Sequence, residues 1–398
     1  MNLLVNDKMD NIVLKTFNTG IKENIVSGQF INKETGFILS QGSKLFRITS
    51  DNATALIQTP DNILIQHMAF KNEQQGIIVG VPKSPGNKLN ETNHTGIWLP
   101  LGSLLLIAAL GFGIYKALRK WKLNFLYFLI ALLVLTALYL FAPFGKNNEQ
   151  KEKLFFATKG FHWFSDKPFY NRIAALTNNG GKTWKSVEIP TNFDLTGVVA
   201  SNNSYYISTY ASKNHKDGDI WRIDINDGDL PGIFSAKRGL SGITYQDNKI
   251  IAFGTDVVVA FVPQSRMVKT KGEILEFDEQ LENLKAMDIQ GEKQVNALSV
   301  LPGNIIWAID SDGHLCKFSE NKWAIENRNE ISNPCKIQFL DAETGFVLSN
   351  DGKLKYTRDG GEKWTDYNME GGTKLLDITK QSNHIGVFGT GGFVGILN

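Results

Sequence analysis

Cysteine is nearly missing from this chain: Cys316 and Cys335 are the only two in 398 residues. That excludes a disulfide scaffold and a four-cysteine zinc site. At most one bridge could form, and two unpaired buried thiols are the expected state. A surplus of one charge is missing too, because 42 Lys and Arg stand against 40 Asp and Glu, a formal net charge of +2. Nucleic acid is therefore not an expected partner, since its binders carry a basic excess. Recognisable catalytic signatures are also lacking. His67, His94, His162, His215, His314 and His384 show no HExxH spacing and read as surface or satisfied core residues. Arg238-Gly239-Leu240-Ser241-Gly242 lacks the spacing of a nucleophile elbow. Asp224 to Asp229 has its glycine one place early for a calcium loop, and Gly389 to Gly392 has no helix after it to hold a phosphate. No catalytic residue, cofactor or metal is expected.

What the chain does contain is glycine, at 37 residues, and aromatics, at 11%. That pairing suits many short strands joined by tight turns. With 42% hydrophobic and 21% charged residues the chain is not disordered by composition, and its length suits one repeat architecture or two to three domains. The mean hydropathy of −0.17 hides two extreme runs. Ile97 to Tyr115 gives 19 residues without a charge and Leu123 to Gly145 gives 23 more. Either could cross a hydrocarbon core of roughly 30 Å. Trp98, Tyr115, Trp121, Tyr127 and Tyr139 lie toward the ends of these runs, where amphipathic rings favour an interface. A transmembrane hairpin is expected, with helices at about 97–117 and 123–144. Lys116, Arg119, Lys120 and Lys122 in its tight connection should stay cytoplasmic. Both flanks would then lie outside the cytoplasm, at an inner membrane. A cytosolic body under a short exposed loop is the alternative, favoured by lysines in the outer flanks such as Lys83 and Lys146.

The remaining chain repeats itself. Phe30-x5-Gly36-Phe37-Ile38-Leu39-Ser40 recurs as Phe339-x5-Gly345-Phe346-Val347-Leu348-Ser349, with a third copy at Phe70-x5-Gly76-Ile77-Ile78-Val79-Gly80. Each copy reads as strand, polar turn and second strand, and a third strand follows. Two copies then continue into a turn of one kind, Thr177-Asn178-Asn179-Gly180-Gly181-Lys182-Thr183-Trp184 and Thr357-Arg358-Asp359-Gly360-Gly361-Glu362-Lys363-Trp364. In such a turn the Asn or Asp accepts backbone N–H groups, glycine tolerates positive φ, and the indole packs between sheets. The structural residues are Thr177, Asn179, Gly181, Trp184, Thr357, Asp359, Gly361 and Trp364. A repeat of about 45 residues with four strands per unit predicts an all-β, seven-bladed β-propeller. Blade starts fall near Asn24, Asn62, Leu195, Leu240, Val295, Pro334 and Lys374. The last blade lacks its outermost strand, which the N-terminal run Asn11 to Phe17 would supply. The hairpin then sits in the second blade, dividing the chain into propeller at 1–81, insertion at 82–170 and propeller at 171–398. After the helices come Phe155, Phe156, Phe161, Trp163 and Phe164, expected either as a satellite strand pair or as a contact for a partner or bilayer surface.

The turns resemble the Asp-box, or BNR, pattern, departing from it at Asn179 and Lys363. Together with the Phe-x5-Gly repeat they are similar to the photosystem II assembly and stability factor family of seven-bladed propellers. That resemblance implies a protein that binds partners, such as membrane-protein assembly intermediates on the non-cytoplasmic side, without catalysis. The expected function is a membrane-anchored assembly factor or scaffold of an envelope complex. An immunity-type protein sequestering a toxin is the alternative. Sialidases share Asp-boxes, so a glycoside hydrolase is a second alternative, but no arginine here has their Phe/Tyr-Arg-Ile-Pro setting.

Overall fold

The structure is a computed structural model that describes residues 12–50, 53–83, 172–210, 218–230, 232–236, 239–262, 265–289, 294–310, 312–320, 322–327, 331–381 and 383–397. They form seven four-stranded antiparallel sheets. The innermost strands are Ile25–Phe30, Ile63–Phe70, Asp194–Ala200, Gly239–Gln246, Val295–Leu301, Pro334–Phe339 and Leu375–Gln381. Successive inner strands touch one another, and Leu375–Gln381 packs back on Ile25–Phe30, so the ring is closed. Leu14–Phe17 completes the seventh blade by pairing antiparallel with Val394–Leu397, removing the edge that strand would otherwise expose.

The core is divided among the blade interfaces, with seven buried clusters, one between each pair of neighbours. The Phe-x5-Gly repeat has a direct steric cause. Phe30 pairs with Gly36, Phe70 with Gly76 and Phe339 with Gly345 on the adjacent strand. Each ring lies over the bare glycine, where a Cβ would approach it to 3.0, 2.3 and 2.6 Å respectively. The same rings stack on the preceding blade: Phe37 on Phe70 at 3.6 Å, Trp307 on Phe339 at 4.2 Å, and Phe388 on Phe30 at 5.8 Å. The five residues between Phe and Gly hide one further regularity. Asn32, Asn72 and Asp341 each accept two backbone N–H groups with Oδ1, turning the chain between its first two strands.

The second blade is entered twice. Its second strand, Gly76–Pro82, pairs with Arg172–Thr177, so the chain between them leaves the blade and returns. Residues 84–171, between these two strands, lie outside the described residues. The membrane hairpin expected in the fold is corrected here. Among the described residues no helix is long and apolar enough to cross a membrane. The only helical pieces there are two 3-10 turns, Glu370–Gly372 and Thr390–Gly392. The described fold is all-β, and its buried apolar clusters lie between blades. The bilayer as partner and the inner-membrane location with a periplasmic propeller rested on the uncharged runs 97–115 and 123–145, outside the described residues, and are corrected with the hairpin.

Candidate functional site at the channel mouth

All seven inner strands share an irregularity that hydropathy does not reveal. Pairing with the second strand slips by one residue near the start of each, at Val26, Gln66, Thr196, Ser241, Asn296, Cys335 and Leu376. A bulge bends its strand and re-aims the extra side chain. The bend brings the inner-strand backbone against the partner strand. At Gly80 and Gly254 a Cβ would stand 1.9 Å from the carbonyl oxygens of Leu64 and Gly239. These bulged residues ring one mouth of the central channel. Thr196, Ser241, Asn296 and Cys335 line a cavity there of about 350 Å3, with Tyr210, Gln294 and Asn350 beside them.

One residue further along each inner strand stand Ser27, His67, Gly197, Gly242, Ala297, Lys336 and Asp377. Four are small and three are ionisable. Lys336 Nζ lies 3.4 Å from Asp377 Oδ1; the Lys336 side chain is half-exposed, whereas Asp377 is buried. Asp377 Oδ2 accepts the Gly28 N–H at 3.4 Å, tying the seventh blade to the first. The Asp377 carboxylate pushes the Lys336 ammonium up from its ordinary value, against the opposing effect of burial. His67 comes from the second blade. Burial, and then the charge of Lys336, hold its imidazole below the usual range. Its Nε2 lies 3.3 Å from the Leu195 carbonyl, so in the neutral ring that nitrogen carries the proton. The inner mouth therefore holds a balanced ion pair and a neutral histidine among the small residues Ser27, Gly197, Gly242 and Ala297.

The expected turn residues come together as two matching networks. Thr177 Oγ1 donates to Asn179 Oδ1 at 3.0 Å and accepts the Gly181 N–H at 2.8 Å, while Asn179 Oδ1 also accepts the Thr183 N–H at 2.9 Å. Thr357, Asp359, Gly361 and Lys363 repeat these bonds at 2.7, 2.9 and 2.9 Å. Burial raises the Asp359 carboxyl, but hydrogen bonds from the Lys363 N–H, the Thr357 hydroxyl and the N–H groups of Asp359 and Glu362 outweigh it and leave the carboxyl below its ordinary value. Gly181 and Gly361 sit at φ of 86° and 91°, and a Cβ on them would strike Ile57 and Leu315. Trp184 packs between blades one and two and donates Nε1–H to the Gln58 carbonyl at 2.8 Å. Trp364 packs between blades five and six with no partner for Nε1. Both turns bond to the turn between the first two strands of their own blade, Gly180 to Gln74 and Gly360 to Glu343. They occupy the face opposite the channel mouth. Residue 83 is held on the mouth side, its N–H bonded to the Asn62 carbonyl.

Phe155, Phe156, Phe161, Trp163 and Phe164 lie outside the described residues. Both cysteines are free, with thiols that burial pushes up to about 11. The stretch from Asp224 to Asp229 is a strand-connecting turn closed by Asp224 and Asp227 on backbone N–H groups. His384 departs from the expected satisfied histidine, since it is buried and neither ring nitrogen has a partner. The inner constellation was missed because its members are separated in sequence by as much as 310 positions. Aligning the seven inner strands on their shared pattern would have exposed it, as three ionisable residues at a position that is otherwise small.

No family model and no curated protein matches this chain. Solved structures of similar fold do. A structure of YCF48 bound to D1 peptide aligns with a TM-score of 0.56 at 11% identity, over 98% of this chain and 96% of that one. The Pan2 WD40 domain of Neurospora crassa aligns at 0.52 and 9% identity, over 94% and 89%. The virginiamycin B lyase of Staphylococcus aureus, a catalytically inactive form with quinupristin, aligns at 0.55 and 10%, over 98% and 99%. At such identities the likeness is one of fold alone. It is the fold that the resemblance to the assembly-factor propellers implied, while the Asp-box family itself is not matched.

Proposed function

We propose that this propeller is a non-catalytic scaffold that holds a protein partner, in the manner of an assembly factor, on the face where the channel opens. The observation that carries the reading is the ring of seven bulged residues. Their positions are set by backbone pairing, so the rim is rigid before anything binds, and little ordering is lost on docking. The rim mixes apolar Val26 and Leu376 with polar Gln66, Thr196, Ser241 and Asn296, the composition expected of a reversible interface. Leu376 is 38% exposed, an apolar anchor at the centre of a face. Propellers of the same fold support it too: YCF48 has been seen with D1 peptide, and WD40 domains are among the similar structures. No feature of the described residues favours toxin sequestration or sialidase-like hydrolysis.

A gentle affinity pull-down of the full chain with mass spectrometry tests it. Several subunits of one complex should copurify, and Leu376→Lys with Gln66→Ala should lose most of them while the melting temperature holds. Recovery unchanged by those substitutions sinks the docking face. Turnover of a small molecule by the purified chain would sink the non-catalytic reading.

A further inference from the structure

The cavity of about 350 Å3 at the mouth is walled by four successive blades, and its polar side chains carry no charge: Thr196, Tyr210, Ser241, Gln294, Asn296 and Asn350. Three are anchored by bonds that fix their direction. Thr196 Oγ1 lies 2.8 Å from Ser208 Oγ, Gln294 Nε2 donates to Ser241 Oγ at 2.6 Å, and Asn296 Nδ2 donates to the Pro334 carbonyl at 3.4 Å. Gln294 and Ser241 belong to neighbouring blades, as do Asn296 and Pro334, so the array is as rigid as the ring itself.

An ionic ligand would give up hydration here for walls that offer no opposite charge. A wholly apolar one would strand the carboxamides and hydroxyls. What fits is a neutral molecule whose own groups both donate and accept, because hydroxyls and carboxamides do both. The carboxamides of Gln294 and Asn296 each have four hydrogen-bonding positions and commit one to an anchor. Leu240 and Pro334 add an apolar wall for the C–H face of a ring. The volume is that of a small-ligand pocket, with room for about a dozen waters at ~30 Å3 each. From this geometry we infer that the cavity binds a neutral polyhydroxylated molecule, a mono- or disaccharide. Binding makes and breaks no covalent bond and needs no protein partner.

Ligand-observed saturation-transfer NMR and calorimetry on the full chain provide the test, with glucose, galactose, N-acetylglucosamine and maltose as probes. At least one should bind saturably, and Asn296→Ala or Gln294→Ala should weaken it about tenfold. Asn350→Ala, at an exposed turn, keeps the test decisive if Asn296→Ala does not fold. Acetate and triglycine serve as ionic and peptide controls. Saturation by none of the four sugars would overturn the inference. So would sugar binding that survives Asn296→Ala and Asn350→Ala in folded protein, or tighter binding of acetate or triglycine than of every sugar.

Discussion

Gly76 is the position where one added carbon should do the most damage for the plainest reason. In Gly76→Ala the new Cβ would meet Phe70 Cδ1 and Cε1 at 2.3 Å. The ring has nowhere to go: it stacks on Phe37 at 3.6 Å, and both rings are almost fully buried. Two terms oppose each other. Alanine should gain roughly 0.5–1 kcal/mol over glycine in a strand, because less backbone entropy is lost on folding. Overpacking a rigid core costs about 1–3 kcal/mol, occasionally more. An overlap this deep belongs at the upper end, so a net loss of about 2 kcal/mol is expected. The repeat supplies its own dose series, since the same contact is 2.6 Å at Gly345 and 3.0 Å at Gly36. The loss should fall in the order Gly76→Ala, Gly345→Ala, Gly36→Ala. Urea unfolding followed by tryptophan fluorescence reads the order, and pairing Gly76→Ala with Phe70→Leu should recover part of the loss. Equal losses at the three sites, or strict additivity with Phe70→Leu, would refute the steric account.

The two turn tryptophans should differ: Trp184→Phe should cost about 1 kcal/mol for the bond to Gln58, and Trp364→Phe, which breaks none, should cost less. Truncating either to alanine should cost about 2 kcal/mol, below the value for full burial, because both indoles are half-buried. His384 should make stability fall in acid. Burial, then the charge of Lys33, hold it below the ordinary 6.5, so the unfolded chain takes up a proton that the folded one refuses. The contribution is complete above pH 6.5 and shrinks as pH drops below it; His384→Leu should flatten that slope in urea titrations, leaving the part due to His67. Lys336→Met should destabilise by about 2 kcal/mol, because buried Asp377 keeps only the Gly28 N–H, and adding Asp377→Asn should restore most of it. A loss that the second substitution fails to relieve would contradict that pairing.

Much of this ring was legible in the chain because its determinants are local. Phe70 and Gly76 are six residues apart, and steric fit across one turn forces their pairing, so the repeat is written in the sequence. Asn179 and Asp359 likewise act within four residues, which is why two turns could be identified without coordinates. The blade count and the closing N-terminal strand follow from the same short-range pattern, together with the requirement that no sheet edge stay open. The mouth of the channel was not legible. A bulge leaves hydropathy unchanged while shifting each later side chain by one place, so Lys336 and Asp377 read as ordinary strand positions. Only closure of the ring brings Asp377 to Gly28, 349 residues away, and sets His67 within electrostatic reach of Lys336. Short-range sterics wrote the blades, and long-range closure decided what their inner edges do together.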